Sequence, residues 1–127
     1  MARRRSASLT SLNLRRSKLC DESGKLFANA LTTNKALTQL DLGNNKLGVE
    51  SGKLFADALK TNTALTQLDL GMSTLGDASG KVFADALMTN RSIVELDLGW
   101  NNLGAESGRA MIEACTVPGR GLDECAD

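Results

Sequence analysis

The side chains with the most chemical potential in this chain are acidic residues that recur every 28 positions. One column of such residues consists of Asp41, Asp69 and Asp97. The column two positions earlier consists of Gln39, Gln67 and Glu95. Stacked carboxylates either form an acidic stripe that meets a basic protein partner or are simply hydrated surface groups. Their mutual repulsion predicts a raised proton affinity for the middle one, Asp69. A cation site of Asp69, Asp97 and Glu95 is a third interpretation, although no calcium-loop spacing is present.

Two further columns follow a few residues later in each segment. The first consists of Arg15, Gly43, Gly71 and Gly99, and the second of Arg16, Asn44, Met72 and Trp100. Aromatic residues and arginine are enriched at binding hot spots, and methionine adapts to varied contacts. We therefore expect Trp100, beside Met72 and flanked by Glu95 and Asp97, to be the centre of a protein contact. The alternative is that Trp100 covers its own loop or packs on the C-terminal tail.

Charge is unevenly distributed along these columns. Arg15 and Arg16 stand in the first segment, whereas Asp97 stands in the last. As a hypothesis, a surface that is basic at one end and acidic at the other orients an elongated partner.

Signals of catalysis are missing from the sequence. There is no histidine, which is the commonest general base and metal ligand. No glycine-rich phosphate loop, nucleophile elbow or metal-ligand cluster appears either. We predict no catalytic residues, no metal site, no cofactor and no enzymatic activity.

Composition narrows the class of partner. The 127 residues contain 15 basic and 15 acidic side chains, so the basic excess of a nucleic-acid-binding protein is absent. No apolar run approaches the roughly 20 residues that span a bilayer. Three cysteines without a Cys-x-x-Cys pair favour a reducing compartment, so we expect a cytoplasmic location, with the nucleus as the alternative. The partner is then another protein, not a nucleic acid or a membrane.

The spacing itself comes from four repeated segments, which open at Leu9, Leu37, Leu65 and Ile93. The second and third agree at 19 of 28 positions. Each begins with an alternating stretch such as LTQLDL, which is typical of a half-buried strand. Each continues with a stretch such as ESGKLFADALKTN, in which Leu54, Phe55, Ala58 and Leu59 share one side at helical spacing. Strands joined by helices must be parallel, so the units are expected to stack into one sheet.

Glycine recurs near the start of each predicted helix, and asparagine recurs at the end of three of them. Glycines recur near each helix start, at Gly24, Gly52, Gly80 and Gly108, where they indicate a close approach of the neighbouring unit. Asparagines recur at each helix end, at Asn34, Asn62 and Asn90, where we expect left-handed caps. Cys115 replaces a core leucine and is expected to be buried.

The pattern Leu-x-x-Leu-x-Leu-x-x-Asn-x-Leu resembles the leucine-rich repeat, and the 28-residue length resembles its ribonuclease-inhibitor-like subclass. That subclass includes repeat regions of NOD-like receptors and of the Ran GTPase-activating protein. The resemblance implies an α/β solenoid, a curved horseshoe segment with a parallel sheet on the concave face and helices outside. The signature asparagine is present at Asn45 and Asn101 but is serine at Ser17 and Ser73, which predicts a weakened polar ladder.

These observations divide the chain into a basic flexible tail at 1–8, a repeat domain at 9–117 and an irregular tail at 118–127, since Pro118 cannot continue a helix. The poorly capped first strand predicts self-association as a second mode of contact. We expect a protein-binding module that uses the concave face. The alternatives are a GTPase regulator resembling the Ran GTPase-activating protein and a terminal piece of a larger NOD-like or other repeat protein. The roles of Arg3–Arg5 and Cys125 stay open.

Overall fold

Four strands alternate with four helices in the computed structural model, which describes residues 9–115 and 124–125. In chain order the elements are β1 (Ser11–Asn13), α1 (Asp21–Leu31), β2 (Gln39–Asp41), α2 (Val49–Leu59), β3 (Gln67–Asp69), α3 (Gly76–Thr89), β4 (Glu95–Asp97), α4 (Ala105–Cys115) and β5 (Glu124–Cys125). The predicted tail at 1–8, with Arg3–Arg5, lies outside the described residues.

The strands form one parallel sheet in the order β1-β2-β3-β4-β5. Adjacent strands pair at an offset of 28 residues, so that Leu12 lies beside Leu40, Leu40 beside Leu68 and Leu68 beside Leu96. The sequence period is therefore the register of the sheet. The predicted α/β repeat solenoid is confirmed.

The core lies between the sheet and the helices. Alternation along each strand turns leucines inward, and Leu40, Leu42, Leu68 and Leu70 are all at most 2% exposed. The helices close over them with a stripe at helical spacing, in which Phe55, Ala58 and Leu59 are buried and Leu54 is half-buried.

The difference in width between helices and strands sets the shape. Packed helices are about 8–10 Å apart, whereas neighbouring strands are about 4.8 Å apart. Each helix contacts the next one along the chain, and each strand pairs with the next. The strand side is therefore the concave side of the stack.

Glycine near the start of three helices permits this close stacking, as predicted. A Cβ on Gly24 would lie 2.9 Å from Ser51 Cβ, and one on Gly52 would lie 2.8 Å from Ser79 Cβ. Gly80 meets Ser107 in the same way, at 2.8 Å. The prediction is wrong for Gly108, where a Cβ would meet nothing within 4 Å among the described residues, because no further described helix stacks on α4.

The helix-end asparagines act differently from the prediction. Asn90 has φ −71° and ψ 131°, and neither Asn34 nor Asn62 has a positive φ. The side chains of Asn62 and Asn90 connect units instead. Asn62 Nδ2 donates to Leu31 O at 2.8 Å and to Asn34 O at 3.1 Å, which satisfies carbonyls at the end of the preceding unit.

Among the described residues Asn45 and Asn101 make the polar ladder, whereas Ser73 Oγ donates within its own unit, to Gly71 O at 3.2 Å, so the ladder is weakened as predicted. Asn45 Oδ1 accepts hydrogen bonds from the backbone N–H groups of Ser17 and Leu19, both at 3.0 Å. Asn101 does the same for Ser73 and Leu75, at 2.8 and 3.2 Å. An asparagine in every second unit thus satisfies the turn of the unit before it.

The C-terminal tail differs from the irregular segment expected at 118–127. Its residues Glu124–Cys125 form β5, which pairs in parallel with β4 at Glu95 and Leu96. The sheet therefore continues one strand beyond the four predicted. Residues 116–123 and the side chain of Cys115 lie outside the described part of the chain, so the burial predicted for Cys115 stays a prediction.

Candidate functional site

The outer face of the sheet carries the predicted polar columns in a regular array. Alternation along the strands turns Gln39 and Asp41 away from the buried leucines, and the 28-residue register repeats this on every strand. Residues of all four repeat strands line a shallow concave depression of about 380 Å³. The structure thus brings together six of the predicted contact residues, namely Gln39, Asp41, Gln67, Asp69, Glu95 and Asp97.

Each aspartate of the column is fixed by the backbone of its own turn. Asp41 Oδ1 accepts a hydrogen bond from Gly43 N, and Asp69 Oδ1 accepts one from Gly71 N, both at 2.9 Å. Asp97 Oδ1 accepts the equivalent bond from Gly99 N, also at 2.9 Å. One oxygen of each of these three carboxylates is therefore held by the turn that follows the strand.

Arg15 already uses two of these carboxylates. Its Nη1 lies 3.0 Å from Asp41 Oδ1 and 3.0 Å from Asp69 Oδ2, and it spans from the first unit to the third. A Cβ on Gly43 would lie 2.9 Å from Arg15 Cζ, so glycine leaves the space that the guanidinium fills. Burial lowers the pKa of Arg15, the two carboxylates raise it, and the net result is a rise.

This bridge changes the charge pattern expected from the sequence. Arg15 does not form a free basic end, because the acidic column neutralises it; Arg16 is exposed. At the other end, no described lysine or arginine lies within ion-pair distance of the exposed Asp97. The face is therefore neutralised near the first unit and acidic near the last.

Asp69 is the carboxylate most affected by its surroundings. Burial raises its pKa, and the nearby charges of Asp97 and Asp41 raise it further, whereas the N–H of Gly71 and the charge of Arg15 lower it. The predicted rise in proton affinity is confirmed, but burial contributes more than the like charges.

The glutamine and glutamate column forms a second polar ladder. Ser11 Oγ donates to Gln39 Oε1 at 3.3 Å, and Gln67 Nε2 donates to Glu95 Oε1. Gln39 and Glu95 are exposed, so their remaining polar atoms face solvent.

The next column, beyond the strand ends, has an unusual backbone. Arg16, Asn44, Met72 and Trp100 have φ values of 56°, 55°, 52° and 59°. Asparagine tolerates this left-handed conformation, whereas it costs other side chains roughly 1–2 kcal/mol. The only sequence signal was Asn44 itself, so the strain at Met72 and Trp100 was not foreseen.

Trp100 projects into solvent despite that strain. Trp100 is 85% exposed as a residue, and Met72 is 40% exposed. The alternative in which Trp100 covers its own loop does not fit this exposure. Packing of Trp100 on the C-terminal tail stays a prediction, because most of that tail lies outside the described residues. Asn44 is half-buried and is the least accessible member of the column.

The described residues contain no group of three histidine, cysteine, aspartate or glutamate side chains placed to hold a metal ion. Among the described helices, none is long and apolar enough to cross a membrane.

The repeat geometry agrees with a comparison to known families. A model described as Leucine Rich repeat matches residues 33–56, 61–84 and 89–111, which is more than half of the chain. The chain belongs to the leucine-rich repeat family. The match does not distinguish subclasses of leucine-rich repeat, so the ribonuclease-inhibitor-like assignment stays a prediction. No curated protein matches the chain in sequence.

A comparison with solved structures finds a similar fold. The structure of Leiomodin-1 Actin-Binding Site 2 is 22% identical with a TM-score of 0.73, over 85% of this chain and 62% of that one. The chain therefore spans less than two thirds of that protein. A tropomodulin C-terminal domain from Caenorhabditis elegans is 14% identical with a TM-score of 0.49, over 84% of this chain and 81% of that one.

Proposed function

We propose that this leucine-rich repeat protein binds an extended, basic segment of another protein on the concave face of its sheet. The observation that carries this proposal is the way in which Arg15 lies across the acidic column. Its guanidinium contacts the carboxylates of two neighbouring strands above a glycine. The guanidinium of Arg15 thus shows how a basic side chain of a partner would contact these carboxylates.

The same arrangement recurs one repeat further along without an arginine. Gly71 takes the place of Gly43, and a Cβ on Gly71 would lie 3.3 Å from Asp69 Oδ1 and 3.4 Å from Asp97 Oδ1. No described basic side chain lies there. An arginine of the partner fits this position best, because a planar guanidinium contacts two carboxylates at once.

Trp100 and Met72 supply the apolar part of the contact. A large exposed indole on a strained backbone contributes little to stability, so a role in binding accounts for its presence better than a role in packing. The partner segment is therefore expected to combine basic residues with apolar ones.

A capture experiment with matched variants tests this function. Wild-type protein is compared with Trp100→Ala and Asp97→Asn, and the control is Asp85→Asn, an exposed aspartate on α3. We expect the same proteins to be captured by the wild type and the control and lost from the two concave-face variants. Identical capture by all four forms would contradict the proposal.

Actin is one purified protein to include among the probes, because the leiomodin-1 structure is that of an actin-binding site. At 22% identity that likeness supports the fold alone, so the choice of actin is a test and not an expectation. The GTPase-regulator and receptor-fragment alternatives stay predictions, as does the cytoplasmic location.

A further inference from the structure

The junctions between the first and second units and between the second and third units are built from the same three contacts. Parallel strand pairing is the first. The second is a serine that enters the space left by a glycine and donates to a helix-start carbonyl, as Ser51 Oγ does to Asp21 O at 2.8 Å. The third is the asparagine side chain that donates to carbonyls of the preceding unit, as Asn62 does.

The first unit presents one half of this junction with no described partner. Ser23 corresponds to Ser51, but its Oγ contacts only Cys20 Sγ, at 3.9 Å. Asn34 corresponds to Asn62, and its side-chain NH₂ group has no partner among the described residues. The outer edge of β1 (Ser11–Asn13) is likewise unpaired by any described strand.

Core side chains of the first unit are exposed for the same reason. Phe27 is half-buried, whereas its equivalents Phe55 and Phe83 are fully buried. Leu9 and Leu26 are 58% and 71% exposed. This end face, defined by β1, Ser23, Phe27 and Asn34, is an apolar surface with polar connectors.

The fourth unit presents the complementary half. Gly108 corresponds to Gly24, Gly52 and Gly80, yet no described atom fills the space beside it. Ala105 occupies the place of Asp21, so its carbonyl corresponds to the one that Ser51 binds. The outer edge of β4 is covered only by the two residues of β5.

We infer that copies of this chain stack head to tail, with the end face of one copy docked on α4 and β4 of the next. Ser23 of the incoming copy then enters the space beside Gly108, and its β1 replaces β5 beside β4. Because β5 pairs with that edge of β4 within the same chain, an incoming β1 must displace it. Association is therefore expected to require a high protein concentration. A head-to-tail dimer leaves one end face of each kind unoccupied, so oligomers grow beyond the dimer.

Sedimentation velocity of the full chain tests this inference over a range extending to millimolar concentration. Gly108→Leu fills the open space with a residue that favours helix, so this variant is expected to melt at a higher temperature than the wild type and stay monomeric. Ser11→Pro removes an outward-facing N–H of β1 and is also expected to stay monomeric. The carbonyl of Thr10 accepts hydrogen bonds from the N–H groups of Thr38 and Gln39, and the N–H of Leu14 donates to Asp41 O. None of these bonds uses the N–H of Ser11, so the pairing of β1 with β2 is retained.

Ala78→Leu is the matched control, because it adds the same side chain at an exposed position in the first turn of α3. It is expected to associate like the wild type. A wild type that stays monomeric, one that stops at the dimer, or a Gly108→Leu variant that associates like the wild type would each overturn the inference. These outcomes bear on association alone. Binding at the concave face is tested with the protein at concentrations where it is monomeric, because Asp97 of β4 lies at the contact proposed here.

Discussion

Arg15 Nη1 and Asp69 Oδ2 lie 3.0 Å apart although 54 residues separate them in sequence. The contact joins the first and third units directly, across the second. It places a cation in the acidic column where a partner's cation would otherwise bind. Arg15 therefore limits the acidic stripe to its far end, around Asp97.

Replacing Gly43 with alanine should displace Arg15 from the column. The new Cβ would lie 2.9 Å from Arg15 Cζ, but the guanidinium is the end of a flexible side chain and has room to move away. We expect the free energy of unfolding to change by less than about 1 kcal/mol, since partly exposed ion pairs contribute little. Denaturant unfolding measures this change, and a loss of several kcal/mol would show that Arg15 is a structural residue.

The glycines of the unit junctions should respond to alanine with opposite signs. Gly52→Ala places a Cβ 2.8 Å from Ser79 Cβ and is expected to destabilise the fold by about 1–3 kcal/mol through overpacking. Gly108→Ala meets no described atom and should stabilise the fold by about 0.5–1 kcal/mol, because alanine favours helix. Chemical denaturation of both variants compares them, and equal effects would refute the packing explanation.

Asparagine at position 72 or 100 should relieve backbone strain. Asn44 adopts φ 55° at the equivalent place, and asparagine tolerates that region better than methionine or tryptophan. Met72→Asn and Trp100→Asn are each expected to raise the free energy of unfolding by about 1 kcal/mol. Thermal and denaturant unfolding provide the test. A marked loss of stability in Trp100→Asn would mean that the indole packs against the protein.

The raised pKa of Asp69 predicts a specific pH dependence of stability. The folded state holds this proton more tightly than the unfolded state, whose pKa is near the ordinary value of 3.8. Hence the contribution of Asp69 to stability falls as the pH rises through the window from 3.8 to the raised pKa. Urea unfolding across this window should give a more negative slope for the wild type than for Asp69→Asn. Equal slopes would rule out the effect.

The sequence predicted the fold of this protein because its period is also its register. The recurrence of leucine every 28 residues, at Leu12, Leu40, Leu68 and Leu96, predicts both the strand order and the buried face. The same recurrence placed the columns of Gln39 and Asp41 on the concave face. Local alternation and repetition suffice for such features.

Features that depend on the reach of single side chains, on contacts between units or on the shape of a turn were not predictable in this way. The bridge from Arg15 to Asp69 requires knowing how far a single arginine reaches across two units. The use of Asn62 as a connector, and not as a left-handed cap, depends on which carbonyls of the preceding unit lie nearby. The left-handed backbone at Trp100 follows from the shape of the turn, although tryptophan by itself disfavours that conformation.

The most direct test of concave-face binding uses the single tryptophan as its own reporter. An octapeptide of alternating arginine and leucine is titrated into wild type, Asp97→Asn and the control Asp85→Asn, and Trp100 fluorescence is followed together with calorimetry. We predict saturable binding with a blue shift of the emission, weakened about two- to fivefold by Asp97→Asn and unchanged by Asp85→Asn. No binding, or equal affinity for all three forms, would contradict the assignment of this face as the docking surface.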